Sequence, residues 1–179
     1  MIDVKVINSF ILIQKIEEYK DIKDNLLMLI DKMPNKKVDT DFENINKSDY
    51  FLPKEHAREY GDLFLKVIKP YNENIRRFYK AKEIWIKNYW YQQYNNTDYH
   101  KWHVHSGSLL SSVFYIELKN KNSTVFYDNL TKQEYSYDLE EGDLITFPSL
   151  LPHKSKKNSG DRKTIISYNT DFNYINIGE

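Results

Sequence analysis

The sequence predicts an α+β protein in which a helical first half packs on a β-sheet rolled into a sandwich or barrel. Two observations support this class. Before residue 82, apolar residues recur at helical spacing in two segments, one containing Ile22, Leu26, Leu29, Ile30 and Met33 and one running from Tyr60 to Phe78. After residue 82 the apolar residues fall in short β-rich runs, separated by turn-prone segments such as Asn-Asn, Glu-Gly-Asp and Ser-Gly-Asp. Helices followed by a series of strands are typical of the α+β class.

The chain is expected to form one domain over residues 1–179. It has no internal repeat, low-complexity tract or Gly/Ser-rich linker, and 179 residues are enough to bury a core. Within this domain we expect residues 1–82 to be a helical support and residues 83–172 to be the β-rich core.

Local signals refine the first half. Residues 4–14 are expected to form an opening strand, and Asp21 is expected to cap the first helix. Residues 35–53 are polar and are expected to be irregular. A second helix is predicted within residues 54–79, and Pro70 is expected to kink or divide it because proline removes a helical hydrogen bond.

Composition excludes several classes of function. The 26 basic residues balance 26 acidic ones, so we expect no specific nucleic-acid partner. The chain has no cysteine, which excludes disulfides, thiolate ligands and a cysteine nucleophile. No apolar run reaches the roughly 18 residues that span a bilayer, and no secretory signal is visible. We therefore expect a cytoplasmic protein without membrane association.

Three histidines form the chain's most informative constellation. His103 and His105 lie two residues apart in a β-rich context, so both rings are expected on one face of a strand. His153 lies at the end of another apolar run, where a folded sheet would bring it beside the first pair. Converging imidazoles bind divalent transition metals such as iron, zinc, copper or nickel. The sequence therefore predicts a metal site formed by all three.

Arg162 is a candidate partner for an acidic cosubstrate. It lies nine residues after His153 in an apolar strand, and it is one of only four arginines against 22 lysines. A guanidinium can hold a carboxylate through two parallel hydrogen bonds. A purely structural role, as a surface arginine paired with an acidic neighbour, is equally compatible with the sequence.

The second half resembles the Fe(II)/2-oxoglutarate-dependent oxygenase superfamily, and most closely a small branch found in phages and marine bacteria. The matching motifs occur in order over about the last 90 residues. They are Trp102-His103-Val104-His105, Leu110 to Tyr115, Gly142-Asp143-Leu144, Phe147-Pro148-Ser149 through His153, and Arg162 to Asn169.

This resemblance implies a double-stranded β-helix, or jelly-roll barrel, with Fe(II) at its open end and 2-oxoglutarate as cosubstrate. It implies that His103 and His153 are metal ligands and that Arg162 pairs with the far carboxylate of 2-oxoglutarate. Ser111 and Tyr115 match the hydroxyl-bearing pair that binds the same carboxylate. Thr164, which shares a strand face with Arg162, is expected to add a further hydroxyl.

One departure from the superfamily pattern concerns the ligands. Where a carboxylate is expected, two residues after the first histidine, this chain has His105. Asp98, Glu117 and Asp128 are candidate substitutes, although none lies at the expected position. The ligand set is therefore either three histidines or two histidines with a carboxylate from elsewhere.

Several functions fit these features. The leading one is an oxygenase that hydroxylates a C–H bond of a small-molecule or peptide substrate while 2-oxoglutarate is converted to succinate. The alternatives are a cupin-like three-histidine dioxygenase, a non-catalytic barrel protein and a zinc hydrolase. The carboxylate clamp separates the first from the others, because only 2-oxoglutarate requires it.

Overall fold

The structure, a computed structural model, describes residues 10–53, 55–121 and 123–174. Its two helices are α1 (Tyr19–Lys32) and α2 (Gly61–Phe78). The strands, in chain order, are β1 (Leu12–Lys15), β2 (Lys36–Asp39), β3 (Glu43–Ser48), β4 (Ala81–Tyr94), β5 (Tyr99–His103), β6 (Leu110–Glu117), β7 (Thr124–Asp128), β8 (Gln133–Ser136), β9 (Asp143–Pro148), β10 (His153–Ser155) and β11 (Lys163–Tyr174).

The strands form one curled, antiparallel sheet. Their order is β1-β9-β6-β11-β4-β3-β5-β10-β7-β8, with β2 paired to β3. The long strand β11 lies near its centre, paired with β4 from Lys163 to Tyr174 on one side and with β6 from Thr164 to Thr170 on the other. The α+β class and the barrel predicted from the sequence are confirmed.

The sheet curls so that its two arms face each other across a shared interior. Phe147 of β9 packs edge to face on Phe126 of β7, with ring centroids 4.9 Å apart. It also contacts His153 of β10 at 4.7 Å. The Tyr115 hydroxyl of β6 lies 2.7 Å from the Thr124 hydroxyl of β7. These contacts join opposite arms of the sheet and define the inside of the jelly roll.

Strand alternation divides the buried residues into two layers. Side chains on the outer face of β6 and β11 pack against the helices, as Phe114, Ile116, Ile166 and Tyr168 do. Side chains on the inner face of the same strands fill the barrel, as Val113, Tyr115 and Ile165 do. A residue on β11 therefore faces either the helices or the interior, according to its position in this alternation.

The first half of the chain contributes strands as well as helices. β1 pairs with β9 at one end of the sheet. β3 pairs with both β4 and β5, and so bridges the two arms. Residues 35–53, expected to be irregular, therefore contain two strands, because pairing with neighbours outweighs their polar composition. Of the strand predicted over residues 4–14, residues 4–9 lie outside the described residues.

Both helices differ in detail from expectation. α1 begins at Tyr19, so Asp21 lies in its first turn instead of at the N-cap, and Glu18 makes no side-chain capping bond. Pro70 does not divide α2, which runs unbroken from Gly61 to Phe78. Buried residues on either side of the proline anchor both halves of the helix to the same core. Neither helix within the described ranges has the length and apolarity needed to cross a bilayer.

Candidate metal centre

The three histidines predicted from the sequence come together inside the barrel. His103 ends β5 and lies directly opposite His153 of β10 in the strand register. His105 follows two residues later, where its backbone N–H donates to the Ser149 carbonyl over 2.9 Å. Candidate ligand nitrogens of the three residues all lie within 4.8 Å of one another. One ion can therefore contact all three side chains.

Hydrogen bonds assign the ring nitrogens. Nδ1 of His103 lies 2.8 Å from the Lys101 carbonyl, and Nδ1 of His153 lies 2.9 Å from the Leu151 carbonyl. Because a carbonyl oxygen only accepts, each Nδ1 carries the proton and donates. The Nε2 lone pair of each ring is thereby left for a metal, the arrangement that outer partners impose on histidine ligands.

His105 is oriented by a polar cluster. Its Nδ1 lies 2.8 Å from Asn169 Oδ1 and 2.9 Å from Ser111 Oγ. Asn169 in turn donates from Nδ2 to Asn88 Oδ1 over 2.9 Å, which fixes its amide orientation. Ser111 also lies 3.0 Å from the hydroxyl of Ser149. Ser111 thus faces the interior, as expected, and contacts a candidate ligand side chain.

Burial keeps these imidazoles neutral. It lowers the pKa of His103 to about 4 and also lowers the pKa of His105 and His153. A neutral ring has a lone pair to donate, so the three residues can bind a metal at neutral pH without first losing protons.

No carboxylate joins this cluster among the described residues, where these three histidines are the one group with metal-binding geometry. Asp98 accepts a 2.7 Å hydrogen bond from the backbone N–H of Asn95. Asp128 accepts from Leu130 N and the Thr131 hydroxyl, in a turn. The third candidate, Glu117, forms an ion pair described next.

Arg162 lies outside the barrel, so its predicted position beside Ser111 and Tyr115 is wrong. Its Nε and Nη2 donate to the two carboxylate oxygens of Glu117 over 2.8 and 3.1 Å. Its Nη1 lies 3.6 Å from Asp31 of α1. Thr164 also donates to Glu117, and so points to the helix side as well. The physical reason is strand alternation, which turns both residues away from the interior.

Lys163, between them, is the cation that points inward. Only 3% of Lys163 is exposed. Its ammonium lies 4.4 Å from the centroid of the Tyr94 ring and donates to the Ser155 hydroxyl. Burial lowers the pKa of Lys163 to about 7. A buried lysine with a shifted pKa, inside the barrel that holds the three histidines, is a candidate anion-binding residue.

A fourth histidine extends the cluster toward the barrel mouth. The ring of His100 is stacked on that of His103, with centroids 3.7 Å apart and planes 8° from parallel. Its Nε2 lies 3.3 Å from Glu43 Oε2, on the paired strand β3. Burial lowers the pKa of His100 to about 3 and raises that of Glu43. Because the His100 imidazole is neutral, this contact is not an ion pair.

Two cavities adjoin the histidines. An outer one of about 320 Å³ opens at the barrel mouth, and an inner one of about 40 Å³ lies below it. They share part of their walls, namely Trp90, Gln92, His100, His103 and His105. The inner cavity also reaches Ser111, Tyr94 and Ser155, the last two of which contact Lys163. The candidate metal centre thus separates the mouth of the barrel from its floor.

The sequence contained a signal for Lys163 but none for Glu43. Counting back from Asn169 in steps of two gives Ser167, Ile165 and Lys163, so alternation alone would have selected the lysine. Glu43 lies on β3, a strand that was not predicted because its residues are polar. Only the pairing of β3 with β5 brings Glu43 to the site.

Comparison with known proteins agrees with this geometry. Residues 88–169 match a protein-family model described as "Putative 2OG-Fe(II) oxygenase", where 2OG is 2-oxoglutarate. No curated protein sequence matches the chain.

Similar solved structures share the fold at low sequence identity. A prolyl-4-hydroxylase from Pseudomonas putida is 12% identical with a TM-score of 0.65, over 93% of this chain and 94% of that one. A 2OG-Fe(II) oxygenase family oxidoreductase from Burkholderia pseudomallei is 10% identical with a TM-score of 0.72, over 90% and 85%. A viral collagen prolyl hydroxylase from Paramecium Bursaria Chlorella virus-1, solved with 2OG, is 15% identical with a TM-score of 0.55, over 88% and 94%.

Proposed function

We propose that this chain, whose residues 88–169 match a model of the 2OG-Fe(II) oxygenases, holds iron with His103, His105 and His153 and binds the cosubstrate with Lys163. The observation that carries the proposal is the convergence of three neutral imidazoles inside a jelly roll, above a buried lysine. This combination provides a metal site and an anion site in one interior.

The donor set suits Fe(II). Imidazole nitrogens bind iron as well as zinc, copper and nickel, and three protein ligands leave further positions for cosubstrate and oxygen. The Lys101 and Leu151 carbonyls and the Asn169 amide would hold the rings in their binding orientation. Three neutral ligands leave the charge of the ion uncompensated, which favours binding of a dianion such as 2-oxoglutarate beside it.

Lys163 would hold the far carboxylate of that dianion. Its ammonium, which donates to the Ser155 hydroxyl at the barrel floor, would also contact that carboxylate. The inner cavity of about 40 Å³ is close to the volume of a single water, so side chains there must shift when the cosubstrate enters. Ser111 and Tyr115 face the same interior and would supply hydroxyl groups, whereas Arg162 and Thr164 would act only in packing the helices.

Iron and 2-oxoglutarate, when bound, supply the oxidation: one oxygen atom of O₂ enters succinate with loss of CO₂, and the other enters a substrate C–H bond as a hydroxyl group. The chain's own residues bind and orient the metal and the cosubstrate, and they exclude water from the site. Phe126 and Phe147 pack against the His153 ring and keep that side of the centre dry. The outer cavity would admit the substrate.

A small molecule or an exposed side chain of a peptide would fit this mouth. One structurally similar protein is a prolyl hydroxylase from Trichoplax adhaerens, solved with a peptide fragment, at 12% identity and a TM-score of 0.65. The open mouth at the barrel end is compatible with either type of substrate.

A second candidate follows from His105. Because the third ligand is a histidine and not a carboxylate, a three-histidine dioxygenase that uses no 2-oxoglutarate would hold its metal in the same way. The two candidates differ in their need for an anion site at Lys163.

Calorimetric titration of 2-oxoglutarate into Mn(II)-loaded protein tests the proposal. We expect one 2-oxoglutarate per chain in the wild type and a large loss of affinity in His105→Ala. Absence of binding in the Mn(II)-loaded wild type would reject the oxygenase in favour of the second candidate.

A further inference from the structure

The outer cavity combines aromatic rings with a single carboxylate. Tyr50, Phe51 and Trp90 contribute the rings, and Glu43 contributes the acid. No lysine or arginine is among the described residues that line it. The cavity volume of about 320 Å³ falls at the lower end of the range for small-ligand sites.

The rings are arranged at steep angles to one another. The centroids of Tyr50 and Trp90 lie 5.1 Å apart with planes 69° from parallel. The Phe51 ring already has the Lys36 ammonium 5.8 Å from its centroid, and Trp90 is only 5% exposed, so Tyr50, at 53%, is the ring most open to a ligand. Aromatic faces attract organic cations because the ring quadrupole is negative above its plane.

Trp90 also connects this aromatic wall to the metal centre. The centroid of its ring lies 5.7 Å from that of the His105 ring. A group in contact with Trp90 would therefore lie close to a candidate metal ligand. This places the recognition site close enough to the centre to position an adjacent carbon atom for reaction.

The segment that carries Tyr50 is held firmly although its ring is half exposed. Asp49 accepts hydrogen bonds from Tyr60, Arg58 and the backbone N–H of Tyr91, all between 2.8 and 2.9 Å. The backbone N–H of Tyr50 donates to Ser48 Oγ over 3.1 Å. The aromatic wall is therefore formed before a ligand arrives, which reduces the entropic cost of binding.

Glu43 has capacity for a charged partner. Its Oε2 lies 3.3 Å from Nε2 of His100, a neutral ring that does not neutralise the carboxylate. The carboxylate is the one formal charge among the residues that line the cavity. An aromatic wall alone would also hold a neutral apolar group, and the carboxylate is what selects a cation.

We propose that the substrate carries an organic cation, a substituted ammonium group, which binds in the outer cavity against the exposed Tyr50 ring, beside Trp90 and Glu43. This inference names a substrate class for the proposed oxygenase and rests on that function only for the reaction. Cation binding itself is measurable without turnover.

The test uses choline and its neutral carbon isostere, in which a tert-butyl group replaces the trimethylammonium group. Each is titrated calorimetrically into Mn(II)-loaded protein with 2-oxoglutarate present. We expect choline to bind about tenfold or more tightly than the isostere, as an aromatic contact with a desolvated cation implies. Glu43→Gln, which keeps a hydrogen-bond acceptor for His100, should remove this preference, and Tyr50→Leu should reduce it.

Matched controls are Glu134→Gln and Tyr135→Leu, two exposed positions on β8 that do not line the cavity. Both should leave the choline preference unchanged. Equal affinity for the two probes in wild type, or a preference that survives both Glu43→Gln and Tyr50→Leu, would overturn the inference. So would failure of choline to bind at all.

A separate 2-oxoglutarate titration of each protein distinguishes the two proposals. Choline binding without 2-oxoglutarate binding would contradict the oxygenase and leave the cation site standing. The reverse result would contradict the cation site alone.

Discussion

Arg162 and Lys163 are neighbours in the chain, yet their side chains lie on opposite sides of the sheet. Arg162 pairs with Glu117 and approaches Asp31 on the helix side. Lys163 is buried inside the barrel, against Tyr94 and Ser155. A difference of one position at the start of β11 therefore separates the two cations: Arg162 packs on the helix side, and Lys163 lies at the proposed cosubstrate site.

Lys163→Met should weaken 2-oxoglutarate binding by about 2–5 kcal/mol, because it removes one partner of a buried charged pair. Arg162→Met is the matched control and should leave that affinity unchanged. Its partly exposed ion pair should cost no more than about 1 kcal/mol of unfolding free energy. Calorimetry and urea unfolding measure the two effects. Equal loss of 2-oxoglutarate affinity in both variants would refute the assignment.

The affinity for 2-oxoglutarate should depend on pH through Lys163. Burial lowers the pKa of this lysine to about 7, so the ligand-free protein loses the ammonium charge as pH rises above that value. A bound dianion favours the ammonium form and raises its pKa in the complex. Affinity should therefore fall as pH rises above about 7, by up to about tenfold per pH unit.

Lys163→Arg provides the control for this pH dependence, because a guanidinium stays protonated throughout the range. Its 2-oxoglutarate affinity, measured calorimetrically in Mn(II)-loaded protein, should vary little between about pH 7 and 9. A wild-type affinity that does not change over that range would contradict the role of Lys163.

Asn169→Ala should lower metal affinity by about 10- to 100-fold, the usual effect of removing an outer partner of a histidine ligand. The amide oxygen of Asn169 accepts from His105 Nδ1 and so fixes that ring. Asn173→Ala, on the exposed end of the same strand, is the control and should bind metal normally. Competition with a chromophoric chelator gives both affinities, and equal values would exclude the orienting role.

Asp49→Ala should destabilise the fold by about 3–5 kcal/mol. The Asp49 side chain is fully buried, and its removal leaves the nearly buried Arg58 without its carboxylate partner. Asp39→Ala, which breaks an exposed pair with Lys37, should change the unfolding free energy by less than about 1 kcal/mol. Urea unfolding compares the two, and similar stabilities would show that the Asp49 network is dispensable.

The histidine cluster could be predicted from the sequence because its spacing reflects strand geometry. His103 and His105 are two residues apart, and their rings stay 5.3 Å apart even though β5 ends at His103. Arg162, the residue that the sequence predicted for the cosubstrate, is one position away from Lys163, the residue that we propose. A strand alternates with period two, so an error of one residue moves a side chain from the interior to the helix face.

Other parts of the site could not be predicted because long-range pairing creates them. β3 consists largely of polar residues, and its strand conformation depends on β4 and β5 on either side. Glu43 reaches His100 only through that pairing, across a separation of more than fifty residues. Local sequence patterns do not indicate such a contact.

The central claim is that one metal ion and 2-oxoglutarate bind together inside this barrel, and reciprocal linkage tests it most directly. Anaerobic Fe(II) titrations are carried out on wild type and His153→Ala, each with and without 2-oxoglutarate. We expect one Fe(II) per wild-type chain, bound more tightly when 2-oxoglutarate is present, because the dianion compensates the charge of the ion and the coupling between the two ligands is reciprocal. His153→Ala should lose both the stoichiometric binding and the linkage. Unchanged iron binding in His153→Ala, or an iron affinity in wild type that 2-oxoglutarate does not alter, would contradict the account.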